Sequence, residues 1–291
     1  MIYSISGLTI NNAYDALSDE VESAYDKQGN KVYSQEKHWD YSNYSISDMF
    51  TYSSSNLQSF SIYGNKIAQV REGYSLYIID MTTHSKIREV SMDMGHGNSC
   101  QFGVTFYSDL DEFPLFYIRN DGIWVYRILG TTSILLRKYT FSADILGTYV
   151  ASFGVDDVNR RIYTASYTEG SYETKTGQMR ICSWDMDDAT DLGSNTYSLR
   201  LLDTNDFSWF DRFDAVQGSC YHDGYFFISC GLNNTGEYVV MVDVNTLEIA
   251  NVITITGTQE IEGCAWYNDE YLVTGQNPSG ITYKKVQFGT I

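Results

Sequence analysis

Apolar and polar residues alternate with a period of two along most of this chain, and no long stretch carries helical periodicity, so the elements it predicts are strands. The apolar runs come in pairs separated by turns, and the paired unit returns five times. The copies begin at Gln58 (QSFSIYGNKIAQV), Gln101 (QFGVTFYSDLDEFPLFYI), Ser152 (SFGVDDVNRRIYTAS), Gln217 (QGSCYHDGYFFISC) and Glu262 (EGCAWYNDEYLVTG). Two further runs extend each of the first four copies to four strands: 74–81 and 85–92, 122–128 and 133–141, 179–186 and 196–203, then 238–244 and 248–255. Between the third and fourth strands an aspartate recurs at Asp80, Asp185 and Asp243, where it is expected to cap the backbone amides of a turn.

The fifth copy ends at 281–288 with no room for a fourth strand. The segment 45–53 lies just before Gln58, as each outer strand lies before the next inner one, so it is expected to pair beside 281–288 and cover that edge. A two-strand unit repeated at intervals of roughly 40–65 residues cannot bury both sheet faces alone and must stack on its neighbours. Over about residues 45–291 the chain resembles the β-propeller superfamily, and the resemblance implies an all-β fold with five blades, closed by the N-terminal strand. It implies no activity, because WD dipeptides, the kelch double glycine and sialidase Asp-boxes are all missing.

Residues 1–44 obey a different rule. Tyr3, Tyr14 and Tyr25 recur every eleven residues, each followed by turn chemistry and an aliphatic residue (Ile10, Val21, Val32), which predicts small strand–turn–strand units. Units this short need neighbours, either the propeller or other copies of the chain. The phrase AYDKQGNKV resembles the short "AYD…GN" repeats of tail and fibre-associated proteins of bacteriophages and prophages. That resemblance implies an attachment or oligomerisation segment, with other virion proteins or copies of itself as partners; an ordinary hairpin packed on the propeller is the alternative.

Composition narrows the function classes. A net charge of −18 argues against nucleic acid and anionic membranes as partners. Five scattered cysteines with no CxxC pattern read as buried free thiols. No segment has the roughly 20 apolar residues of a membrane span, and the N-terminus lacks the features of a signal peptide, so synthesis in a cytoplasm without membrane insertion is expected, followed by incorporation into a virion. No sequence pattern calls for a cofactor or metal.

Candidate chemistry gathers where loops would surround a central channel. Gln58, Gln101, Ser152, Gln217 and Glu262 occupy equivalent positions and are expected to face that channel, since burying them unpaired costs about 1–3 kcal/mol each. The loops add His96, Arg71, Glu72 and Arg119. The run Trp209-Phe210-Asp211-Arg212 offers an aromatic face beside charged hydrogen-bonding groups, which suits a sugar ring; packing is its alternative role. The expected function is a non-enzymatic recognition or structural component of a phage particle, binding a cell-surface glycan or another virion protein. The alternative is a carbohydrate-active enzyme using paired carboxylates at the channel mouth.

Overall fold

The computed structural model describes Ser23–Tyr25, Lys31–Ser34 and residues 39–53, 57–71, 75–95, 97–142, 149–168, 178–207, 215–231, 237–255, 260–277 and 280–290. Of the N-terminal repeats, the third is a hairpin: β1 (Ser23–Tyr25) pairs with β2 (Lys31–Ser34), Tyr25 opposite Lys31. The first two repeats lie outside the described residues.

The rest of the described chain is a series of antiparallel meanders and one long strand, β3 (Trp39–Tyr52). The first meander runs β4 (Leu57–Tyr63), β5 (Lys66–Arg71), β6 (Ser75–Asp80) and β7 (Ser85–Ser91). Next come β8 (Cys100–Phe102), β9 (Phe116–Arg119), β10 (Ile123–Leu129) and β11 (Thr132–Thr140). They are followed by β12 (Tyr149–Asp156), β13 (Arg161–Tyr167), β14 (Met179–Gly193) and β15 (Thr196–Phe207). A further meander is β16 (Val216–His222), β17 (Tyr225–Cys230), β18 (Glu237–Asp243) and β19 (Glu248–Ile255). The last contains β20 (Ile261–Tyr267), β21 (Tyr271–Gln276) and β22 (Ile281–Thr290), and β3 completes it.

The closing strand is longer than the sequence pattern predicts. It begins at Trp39 rather than Ser45, with Trp39 opposite Thr290, Ile46 opposite Val286 and Phe50 opposite Tyr283. Trp39, Tyr41 and Tyr44 pack into the core of this sheet, so residues 39–44 belong with the large fold rather than with the N-terminal repeats. A second departure joins two meanders. The long hairpin of β14 and β15 reaches over to β11, pairing Lys138–Thr140 in parallel with Thr196–Ser198 and making one eight-stranded sheet. Its end strands, β8 and β12, touch each other, so the sheet is nearly closed.

The first strands converge: β4 packs on β8 and β20, and β16 on β12 and β20. An apolar layer fills each gap between neighbouring sheets. On β9, Phe116 and Ile118 face the layer shared with the β4–β7 sheet, while Tyr117 between them faces the layer shared with β12–β15. Both faces of such strands are buried, so their alternation is between two apolar layers rather than between core and water. Each fully buried Phe, Ile or Leu contributes about 1.5–3 kcal/mol of transfer free energy, which sums over every layer. All five cysteines are buried and free, as the sequence predicts.

Aspartates hold the turns. Asp80 accepts from the amides of Thr82 and Thr83, and Asp243 from that of Asn245. Asp185 accepts from the Asp187 amide at 2.9 Å and pairs with Arg161 and Arg200 at 2.8 and 2.9 Å. Asp157, in the turn after β12, anchors the long loop after β8: its carboxylate accepts from the amides of Val104 and Thr105, from the Tyr117 hydroxyl and from Arg160.

Candidate active site at the head of the innermost strands

The same irregularity recurs near the start of four innermost strands. One extra residue interrupts the ladder at Gln58 in β4, Ala151 in β12, within Gln217–Gly218 in β16 and at Glu262 in β20. A bulge of this kind leaves a residue out of the pairing and re-aims its side chain, so a polar residue can sit there without losing its place in a sheet. Three expected channel residues, Gln58, Gln217 and Glu262, fall at these bulges. Ser152 lies one position further, directly opposite Ala165, and its hydroxyl is buried without a hydrogen-bond partner.

Gln101 departs from the expectation. It pairs regularly with Tyr117, and its amide is used up as a bracket across the ring. Its oxygen accepts from the amides of Val155 and Tyr221 at 2.9 and 3.0 Å, while its nitrogen donates to the Val155 carbonyl at 2.8 Å. Nearby, the Ser99 and Ser219 hydroxyls lie 2.9 Å apart, and Ser219 donates to the Phe153 carbonyl at 2.6 Å. The first strands are therefore stitched to one another here by side chains of their own. Gly218 shows how close they come: a Cβ there would lie 2.7 Å from the Glu262 carbonyl oxygen and from the Gly263 Cα.

At the head of β16 and β20 the arrangement differs. Glu260, just before β20, accepts from Gln217 Nε2 at 2.6 Å and is fixed by a backbone bond from the Asn277 amide at 2.8 Å. Glu262 accepts from Asn277 Nδ2 at 2.8 Å, and that nitrogen also donates to the Leu57 carbonyl at 3.0 Å. Beside them Gln276 donates to Glu237, at the start of β18. Among the described residues neither Glu260 nor Glu262 forms an ion pair with Arg or Lys, so carboxamides are the groups that meet these acids.

This partnering sets the electrostatics. Glu262 is only 6% exposed, and loss of water, reinforced by the charge of Glu260, pushes its carboxyl up to about 8 against the opposing Asn277 hydrogen bond. Glu260 is half-buried; desolvation raises it too, and the Gln217 hydrogen bond moderates the rise. At neutral pH Glu262 is therefore held largely in its protonated form, while Glu260, less deeply buried, is raised by desolvation to a degree its Gln217 hydrogen bond limits. Two carboxyls with different affinities for one proton can act as an acid and a base.

Of the remaining candidates, Arg71 donates to the Tyr77 hydroxyl and lies 4.5 Å over that ring, which directs it along its own sheet. Arg119 is buried, with its amide bonded to the Ser99 carbonyl. His96, Glu72, Trp209, Phe210, Asp211 and Arg212 lie outside the described residues. Glu260 and Glu237 escape the sequence reading, although Glu260-Ile261-Glu262 alternates as two acids on one face of a strand start would. Among the described residues, no group of three or more His, Cys, Asp or Glu side chains is disposed to hold a metal ion.

No protein-family model and no curated protein sequence matches the chain. Solved structures do. Glutaminyl cyclase from Myxococcus xanthus is 9% identical with a TM-score of 0.53, over 84% of this chain and 97% of that one. The PQQ-bound form of aldose sugar dehydrogenase from Streptomyces coelicolor is also 9% identical, with a TM-score of 0.50, over 84% of this chain and 98% of that one. At such identity the likeness shows the fold alone: an all-β architecture of the propeller kind. The expectation of a non-enzymatic phage component is corrected here: the two similar structures are enzymes, and neither is a phage protein.

Proposed function

We propose that the protein is a carbohydrate-active enzyme, built as a five-bladed propeller with its acid–base pair at the channel mouth. The observation that carries this reading is the Glu260–Glu262 pair, two carboxyls held by amides, with burial and mutual repulsion keeping a proton on Glu262 near pH 7. A protonated Glu262 gives its proton to the glycosidic oxygen as the bond from that oxygen to the sugar carbon breaks. Glu260 takes a proton from the water that adds to the same carbon, so the net change is hydrolysis. Support also comes from the architecture, which the chain shares with enzymes, one of them named for action on aldose sugars.

The test is release of reducing ends from a panel of neutral and amino-sugar oligosaccharides. Glu262→Gln and Glu260→Gln keep the side-chain shape and should each lower kcat by roughly 10²–10⁴-fold. Failure to cleave any carbohydrate, or cleavage unchanged in both variants, overturns the reading.

A further inference from the structure

Asn277 is 8% exposed, and its orientation is not free. The Leu57 carbonyl can only accept, so the end of the amide that faces it must be nitrogen. The same nitrogen serves Glu262, which leaves the Asn277 oxygen on the other side, buried and without a partner. A buried acceptor left in this state costs about 1–3 kcal/mol, and this one belongs to the side chain that holds Glu262, in an acid pair that forms no ion pair with Arg or Lys among the described residues. The orphaned oxygen and the absence of a basic partner for the acids among the described residues are independent observations, and both are met by a group that donates hydrogen bonds and carries a single positive charge.

We propose that the mouth recognises a protonated amino group, so that the carbohydrate bound by the acid pair is an amino sugar. This rests on the reading of the site given above and narrows its substrate. An ammonium group has three N–H donors; one meets Asn277 Oδ1, another the Glu260 carboxylate, and its charge balances the charge Glu260 holds. Glu262 keeps its proton for the leaving oxygen. A divalent cation fits less well, because it needs six or more oxygens and ionised carboxyls, whereas this pair shares a proton. The chain's net charge of −18 draws cationic ligands toward it from a distance.

Calorimetric titration of the full chain at mildly acidic pH decides the matter, with glucosamine di- and trisaccharides, their N-acetylated counterparts and calcium chloride as separate arms. The free amines should bind roughly ten- to hundredfold tighter than the acetylated sugars, the weight of one or two charge-assisted hydrogen bonds. Glu260→Gln and Asn277→Leu should each bring that ratio close to one. If Asn277→Leu fails to fold because the Leu57 carbonyl loses its donor, the near-isosteric Glu260→Gln carries the test. Equal affinity for the two sugar forms, or tight calcium binding without any sugar preference, overturns the inference. Cleavage of sugars with no preference for amines would sink this inference and leave the catalytic reading; amine preference without cleavage of any carbohydrate would do the reverse.

Discussion

Two sets of carboxylates in this molecule are solved differently. Asp157 and Asp185, at the turns, meet arginine side chains and backbone amides that supply both charge and donors. Glu260 and Glu262, at the head of β20, meet side-chain amides, which give donors without charge. At Asp185 ionisation is favoured: although burial works against it, the Asp187 amide and Arg200 hold its carboxyl below the usual carboxylate range. In the second, burial prevails and one carboxyl keeps its proton. The partner, more than the depth of burial, decides whether an acid serves as a strut or as a reagent.

The largest effect should come from removing a strut. Asp157→Ala leaves the Arg160 guanidinium, the Tyr117 hydroxyl and the amides of Val104 and Thr105 without their acceptor, and should lower unfolding stability by about 3 kcal/mol in denaturant titration. A loss below about 1 kcal/mol would erase the distinction from the mouth.

Next, counted per pH unit, is the pH response. Glu262 is raised in the folded chain from 4.5 to about 8, so the folded state holds a proton that the unfolded state has released between these values. Its contribution is full below pH 4.5 and is lost as pH rises through 8, at a rate of about 1.4 kcal/mol per pH unit at most. Glu262→Gln should flatten this slope and make the protein relatively more stable at alkaline pH. Asp185 has the opposite sign, its contribution being lost as pH falls through its lowered folded value. An unchanged slope between pH 4.5 and 8 in Glu262→Gln would mean that other groups control it.

The smallest effect should be at the surface. Arg180 and Asp206 pair at 2.6 Å with both side chains partly open to water, yet Arg180→Ala should cost under about 1 kcal/mol, because water compensates both charges. A larger cost would show that an arginine partner stabilises a carboxylate here even without burial.

Much of the architecture was legible because both faces of most strands are buried, and alternation between two apolar layers leaves a regular mark on the sequence. The capping aspartates were legible for the same local reason: a turn's amides need an acceptor within two or three residues. The bulges were not, since an extra residue changes register without changing composition. Aligning the copies by residue type therefore puts Ser152 where the structure has Ala151 at the bulge, and gives Gln101 a channel-facing place when it is a bracket. The parallel union of β11 with β15 depends on a hairpin leaning across a gap, a long-range event that no local pattern records. Within the site, Gln217 and Glu262 could be found from their repeat position, whereas the role of Asn277 required knowing that the Leu57 carbonyl faces it.

The pairing of β22 with β3 has a consequence for how the acid pair comes into being. The strand that carries Glu262 belongs to a sheet assembled from stretches more than two hundred positions apart, for Phe50 faces Tyr283. On the ribosome, β3 emerges long before β22 and must wait for it before that sheet is whole. Glu260 and Glu262 thus gain their final support only once β22 has been made.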